Sequence, residues 1–196
     1  MKQGLTEIIC VIDKSGSMAN LATDAIGGFN TFLQQQKFLP GDAIFTLTLF
    51  DTDYKIIHNG ISIKTVPELT PQTYSPGGMT ALFDAVGRTI DTVGQRLNKT
   101  PESERPEKII VAILTDGQEN SSKEYTRELL FDKIKLQHEI YKWEFVFLAA
   151  NQNAMQAASS IGINPNNAVN FAATANGVAV AYRSVSDSVT NYRVNP

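Results

Sequence analysis

One cysteine, Cys10, stands in a chain of 196 residues. A disulfide within one chain needs two, so the secreted class of folds stapled by cysteine pairs is excluded and a reducing compartment fits best. Basic residues are not in excess: 17 Lys and Arg against 20 Asp and Glu give a formal net charge of −3. Such a balance offers no electrostatic footprint for a polyanion, and nucleic acid is not an expected partner. Nothing approaches the roughly 18 apolar residues of a membrane span. The first apolar run, Ile8 to Ile12, is too brief for a signal-peptide core; it follows Glu7 and meets Asp13. These absences predict a cytoplasmic chain with no membrane partner, which makes the Asn-x-Ser/Thr matches at Asn98 and Asn120 fortuitous. Also missing are the G-x-x-x-x-G-K-[ST], G-x-G-x-x-G and G-x-S-x-G patterns, which removes the usual nucleotide-binding and hydrolase readings.

What is present is an ordinary globular composition, 42% hydrophobic and 19% charged. A chain of this length can bury somewhere near 70% of its unfolded surface, so it needs no structural metal and any metal must have a functional reason. Neither a repeat nor a linker is visible, and residues 1–196 are expected to form a single domain, with a monomer favoured. Continuous apolar runs alternate with amphipathic stretches, the pattern of strands covered on both faces by crossover helices. Strands are predicted over residues 5–12, 43–50, 54–58, 108–114, 144–149 and 169–171. Helices are predicted over residues 19–38, after Thr80 through Leu97, over 123–141 and over 154–161. A last helix is marked by Val178, Ala181, Tyr182, Val185, Val189 and Tyr192, and its opposite face is read as Arg183, Ser184, Ser186 and Asp187. Asp51-Thr52-Asp53 reads as a hairpin turn, and residues 59–78 as an irregular loop of the kind that is functional or disordered. The class is α/β, with helices on both sides of a mainly parallel sheet.

Three pieces of chain place oxygen-bearing residues just past a predicted strand or at the start of a helix. They are Asp13-x-Ser15-x-Ser17, Thr80 in Gly77-Gly78-Met79-Thr80, and Asp116 in Thr115-Asp116-Gly117. In an open α/β sheet, ligands bind beyond the carboxyl ends of the strands where the strand order reverses. If the strands ending at Asp13 and Thr115 are neighbours there, two carboxylates share one crevice, where they raise each other's pKa or recruit a cation. Hydroxyls and carboxylates make an all-oxygen shell that suits Mg²⁺ and is unattractive to zinc or copper.

These residues resemble the metal-ion-dependent adhesion site of the von Willebrand factor type A domain family: Asp-x-Ser-x-Ser, a threonine from a later loop, and an aspartate before glycine after the fourth strand. All five positions match, as Asp13, Ser15, Ser17, Thr80 and Asp116, and the likeness runs from about Leu5 to Tyr192. The resemblance implies a doubly wound three-layer fold on a six-stranded sheet of order 3-2-1-4-5-6 with one short antiparallel strand. It implies Mg²⁺ or Mn²⁺ held directly by the two serines and the threonine, with the aspartates acting largely through water. It further implies a binding module, not an enzyme, whose open metal position takes a Glu or Asp carboxylate of a partner protein. Three neutral hydroxyls leave such an ion under-neutralised, which is why an incoming carboxylate gains. Among relatives, the chain looks like the free-standing bacterial or phage intracellular type.

The bland readings differ residue by residue. Asp13, Ser15 and Ser17 alone would be a turn with helix capping, and Thr80 alone a helix N-cap. Glu119 and Asn120 read as solvated or helix-starting, with a place at the site's rim as the alternative. Asp51 and Asp53 resemble half a calcium loop without its glycine and distal glutamate, so the hairpin is preferred. Cys10 and Trp143 read as core, and His58 and His138 lie far from the constellation. The rival class is a metal-dependent phosphoesterase using the same shell, but an aspartate nucleophile would want a second carboxylate two positions on, where Ser15 stands.

Overall fold

The computed structural model describes residues 1–150 and 152–194. Six strands, β1 (Lys2–Asp13), β2 (Ala43–Phe50), β3 (Tyr54–Ser62), β4 (Pro106–Thr115), β5 (Glu144–Ala150) and β6 (Ala168–Phe171), form one sheet in the order β3-β2-β1-β4-β5-β6. All neighbours are parallel except β2 and β3. The helices are α1 (Ala22–Phe38), α2 (Leu82–Lys99), α3 (Arg127–Glu139), α4 (Ala154–Ser160) and α5 (Ala175–Val194). None of the helices among the described residues is long and apolar enough to cross a membrane.

The strands read as unbroken apolar runs because the two-residue alternation sends side chains into two cores. From β1, Ile8, Cys10 and Ile12 join Phe29 and Leu33 of α1 and Val178, Ala181 and Val185 of α5. Ile9 and Val11 point the other way, against Val86, Ile90 and Val93 of α2, Leu130 and Ile134 of α3, and Ala154 and Ala158 of α4. The result is the expected three-layer, doubly wound α/β architecture. Strand order reverses between β1 and β4, so their carboxyl ends, at Asp13 and Thr115, border one crevice.

Four expectations are corrected. The helix predicted from residue 19 opens as a 3₁₀ turn, Gly16–Leu21, before α1. Strand β3 continues past His58 to Ser62, through register shifts against β2 and a positive φ at Gly60, where a loop was expected. Helix α3 begins at Arg127, not at 123, because the carboxylate of Asp84 accepts the backbone N–H groups of Lys123, Glu124 and Tyr125 at 2.8, 2.9 and 2.8 Å. Groups bonded outward in this way are unavailable to a helical turn, and Thr126 caps the helix instead by accepting from Leu129 N–H at 3.2 Å. Ser186 is buried, not outward-facing: its Oγ donates to Gln35 Oε1 at 2.6 Å in a polar seam where buried Gln36 donates to Thr190 Oγ1 at 3.0 Å. The spacing Tyr182 to Ser186 is one helical turn, so both share the face turned to α1. Cys10 and Trp143 are core residues, as read from the sequence.

Burial alone would raise the Asp84 carboxyl, but the three amide donors outweigh it and hold its pKa below the ordinary carboxylate value. A carboxylate depressed in the folded state contributes stability above its unfolded pKa and loses it as pH falls through the folded one. Asp84→Asn is therefore expected to cost about 1–3 kcal/mol at pH 7, by loss of charge-assisted bonds. In urea unfolding the gap between wild type and variant narrows as pH is taken below roughly 4.

Candidate metal centre

The centre begins where β1 ends. Asp13 is fully buried; its Oδ1 accepts the N–H of Ser15 at 2.7 Å and its Oδ2 accepts the hydroxyl of Thr115 at 2.5 Å. The first bond curls the chain into a turn, and the Tyr74 hydroxyl, donating to the Asp13 carbonyl at 2.6 Å, supports it from the 59–78 segment. The curl leaves Ser15 Oγ and Ser17 Oγ 3.1 Å apart, and Ser17 Oγ donates to Asp116 Oδ1 at 2.6 Å. Ser15 precedes the 3₁₀ turn but makes no side-chain capping bond, so its hydroxyl is not spent on helix capping.

Thr80 arrives on a second loop and is likewise buried. Gly78 has φ +67°, and a Cβ there would stand 2.7 Å from Thr52 Oγ1; only glycine fits that conformation and approach. The Gly78 carbonyl accepts Gly16 N–H at 3.1 Å, tying the Thr80 loop to the serine loop. A Cβ on Gly117 would lie 3.0 Å from Thr80 Oγ1 and 3.7 Å from Ser17 Oγ. The missing side chain at 117 therefore lets hydroxyls from two loops approach the turn that carries Asp116. Thr80 does not cap α2, contrary to the simplest reading of a threonine there. The first amides of α2 are taken from the 116–126 loop: Phe83 N–H by Glu119 Oε2 at 2.8 Å and Asp84 N–H by Ser122 Oγ at 3.0 Å.

All five sequence-derived residues thus gather at one end of the sheet. Asp13, Ser15, Ser17 and Asp116 form a continuous hydrogen-bonded run, and Thr80 meets it across Gly117. Neither Glu119, half-buried, nor Asn120, exposed, starts a helix, and both bond to the chain around Thr80. Glu119 also accepts from Ser121 N–H at 2.8 Å and Ser122 N–H at 2.7 Å, and Asn120 bonds to the backbone of Thr80. Thr115 and Tyr74 were missed. Thr115 could have been noticed for its place beside Asp116, but nothing in the sequence marks Tyr74 as a prop for Asp13. Asp51 and Asp53 make the expected turn, with Asp51 Oδ1 accepting Asp53 N–H at 2.7 Å, and Asp51 also pairs with Lys14. His58 and His138 lie outside the centre.

Burial pushes the Asp13 carboxyl up to about 6, against the pull of the Thr115 and Ser15 bonds, and nearby Asp116 adds to the rise. Burial raises the Asp116 carboxyl too, against its bond from Ser17. No cluster of three His, Cys, Asp or Glu side chains that could hold a metal ion is found among the described residues; the set gathered here has two carboxylates and three hydroxyls. Two buried carboxylates raised toward neutrality, facing convergent hydroxyls, fit a hard divalent cation: it would stabilise their charged forms with oxygen donors alone.

No family model matches the sequence, and no curated protein matches it. Solved structures do share the fold. The vWF domain of the type V pilus tip protein Mfa5 from Porphyromonas gingivalis has a TM-score of 0.69 at 10% identity, over 97% of this chain and 97% of that one. A von Willebrand factor type A protein from Catenulispora acidiphila has a TM-score of 0.60 at 13% identity, over 95% of this chain and 43% of that one. The proximal thread matrix protein 1 of the mussel byssus, solved with zinc in its MIDAS motif, has a TM-score of 0.62 at 16% identity, over 94% and 46%. This chain thus spans less than half the length of the last two. At these identities the likeness shows the fold, that of von Willebrand factor type A domains.

A buried acid whose folded pKa lies above its unfolded one weakens the metal-free fold at high pH, and the penalty fades as pH falls from about 6 through 4. In EDTA the stability of Asp13→Asn relative to wild type is therefore expected to rise between pH 4 and pH 7.5, by about 1.4 kcal/mol for each pKa unit of the shift. Paired thermal melts at the two pH values check it, and a difference that does not change with pH overturns it.

Proposed function

We propose that this chain is a metal-dependent protein-binding module. Ser15, Ser17 and Thr80 would hold Mg²⁺ or Mn²⁺ directly and Asp13 and Asp116 largely through water, as the family resemblance implies. The observation that carries the reading is the run from Asp13 through Ser15 and Ser17 to Asp116, joined by Thr80 from a third piece of chain. A turn or a helix cap accounts for one such residue, not for five converging from three loops. When bound, the cation supplies an electrophilic docking point for a Glu or Asp carboxylate of a partner protein. The chain's own groups do the rest. Thr115 and Ser15 N–H fix the Asp13 carboxylate, Ser17 fixes Asp116, and Gly117 keeps the approach to the hydroxyls clear.

The zinc-occupied MIDAS of the mussel protein supports divalent-ion binding on this fold without choosing the ion. For this chain Mg²⁺ or Mn²⁺ is proposed from the all-oxygen donor set. A binding role is preferred to phosphoester hydrolysis because Ser15 occupies the place where a second catalytic carboxylate would stand.

Saturating Mg²⁺ or Mn²⁺ should raise the thermal midpoint of the wild type, by about 2.7 kcal/mol equivalent at a hundredfold excess over Kd. Ser15→Ala should lose that shift while melting cooperatively in EDTA, because neither core includes Ser15. No shift in the wild type at millimolar metal overturns the metal site.

A partner docked through its carboxylate should be retained on the immobilised chain in Mg²⁺ and released by EDTA, and Glu→Gln at its docking residue should abolish retention. Mg²⁺-dependent release of phosphate from a generic ester, lost in Asp13→Ala, would instead establish the hydrolytic reading.

A further inference from the structure

The hydrogen-bonded run of Asp13, Ser15, Ser17 and Asp116 does not include Thr80. Thr80 is placed through its own backbone, and one residue takes both polar groups. Asn120 Oδ1 accepts the Thr80 N–H at 2.8 Å, and the Asn120 N–H donates to the Thr80 carbonyl at 3.0 Å. Asn120 sits four residues after Asp116, on the loop whose Gly117 faces the Thr80 hydroxyl. The rest of that loop is anchored independently. Glu119 accepts from Ser121, Ser122 and Phe83, and Asp84 accepts from Lys123, Glu124 and Tyr125.

We infer that Asn120 is a positioning residue for the metal centre: it clamps Thr80 to the Asp116 loop, so that the hydroxyl from one loop and the carboxylate from the other meet the cation as a unit. The inference rests on the metal reading above. Its physical basis is that a ligand hydroxyl must be held in place before the ion arrives, otherwise ordering it subtracts from the affinity. Removing the Asn120 side chain leaves the Asn120 N–H bond and the loop's other anchors intact. Only the acceptor for Thr80 N–H is lost.

The test is Mg²⁺ and Mn²⁺ titration by calorimetry on wild type, Asn120→Ala, Asn120→Asp, Thr80→Ala and the Thr80→Ala/Asn120→Ala double variant. Asn120→Ala should weaken metal binding by about tenfold, in the range that residues orienting metal ligands command. Asn120→Asp, which still accepts the Thr80 N–H, should restore it. The double variant should bind no worse than Thr80→Ala alone, since both changes act through one hydroxyl. In metal-free protein, hydrogen exchange at the Thr80 amide should speed up in Asn120→Ala and recover in Asn120→Asp.

Unchanged affinity in Asn120→Ala, or a loss that adds to that of Thr80→Ala, overturns the inference while leaving the metal reading intact. A wild type that takes up neither ion overturns both.

Discussion

The upper end of this molecule depends on the parallel pairing of β1 and β4. With Ile12 opposite Leu114, the strands finish together, and Asp13 comes to lie beside Thr115 with its carboxylate out of water. That placement is unfavourable for a charged group by itself, as the raised Asp13 pKa shows. It becomes tolerable because Thr115 and the Ser15 amide solvate the carboxylate from within the protein. The same two bonds turn the chain sharply enough to bring both serines to the crevice. Sheet register, electrostatics and the geometry of the candidate centre are thus consequences of one neighbour relation.

Around that pairing the loops divide the work. The 13–17 turn carries three of the five residues of the candidate centre, and the 115–126 segment serves as a frame. It supplies Asp116, replaces the missing caps of α2 through Glu119 and Ser122, and is in turn pinned by Asp84 of α2. Helix and loop cap each other, so the four orphan amides that begin any helix become the means of fixing the loop. Lys14 is the exception in sign: a lysine inside the serine loop, neutralised by Asp51 of the β2–β3 turn. The pairing ties the turn at the end of β2 to the same end of the sheet.

Much of this was legible in the sequence where the signal is local. The bounds of β2 follow from Pro40-Gly41 before it and Asp51-Thr52-Asp53 after it, and the pattern of Phe83, Val86, Ile90 and Val93 locates α2. The five residues of the candidate centre could be singled out by their resemblance to a known pattern, and the fold brings them together. Two of the other differences share a reason: long-range partners overrode local preference. The start of α3 is decided by Asp84, 39 residues before Lys123. Ser186 is buried because Gln35 and Gln36 of α1 supply its hydrogen bonds from 150 residues away. Asn120 could be read from sequence only as a solvated or rim residue, and its two bonds to the Thr80 backbone became visible only in the fold. The likeness to known structures, at 10–16% identity, reflects the same division: a two-sided apolar sheet is specified by pattern and survives wide substitution.

Cys10 sits in the middle of β1, 3% exposed, with burial holding its thiol well above the ordinary range and so protonated. A buried, protonated thiol is a poor nucleophile. The native fold should therefore be almost silent toward maleimides, and reactivity at this one thiol becomes a built-in reporter of the sheet opening. A cysteine introduced on an exposed helix would be labelled alone, allowing distances to be followed with the natural core intact.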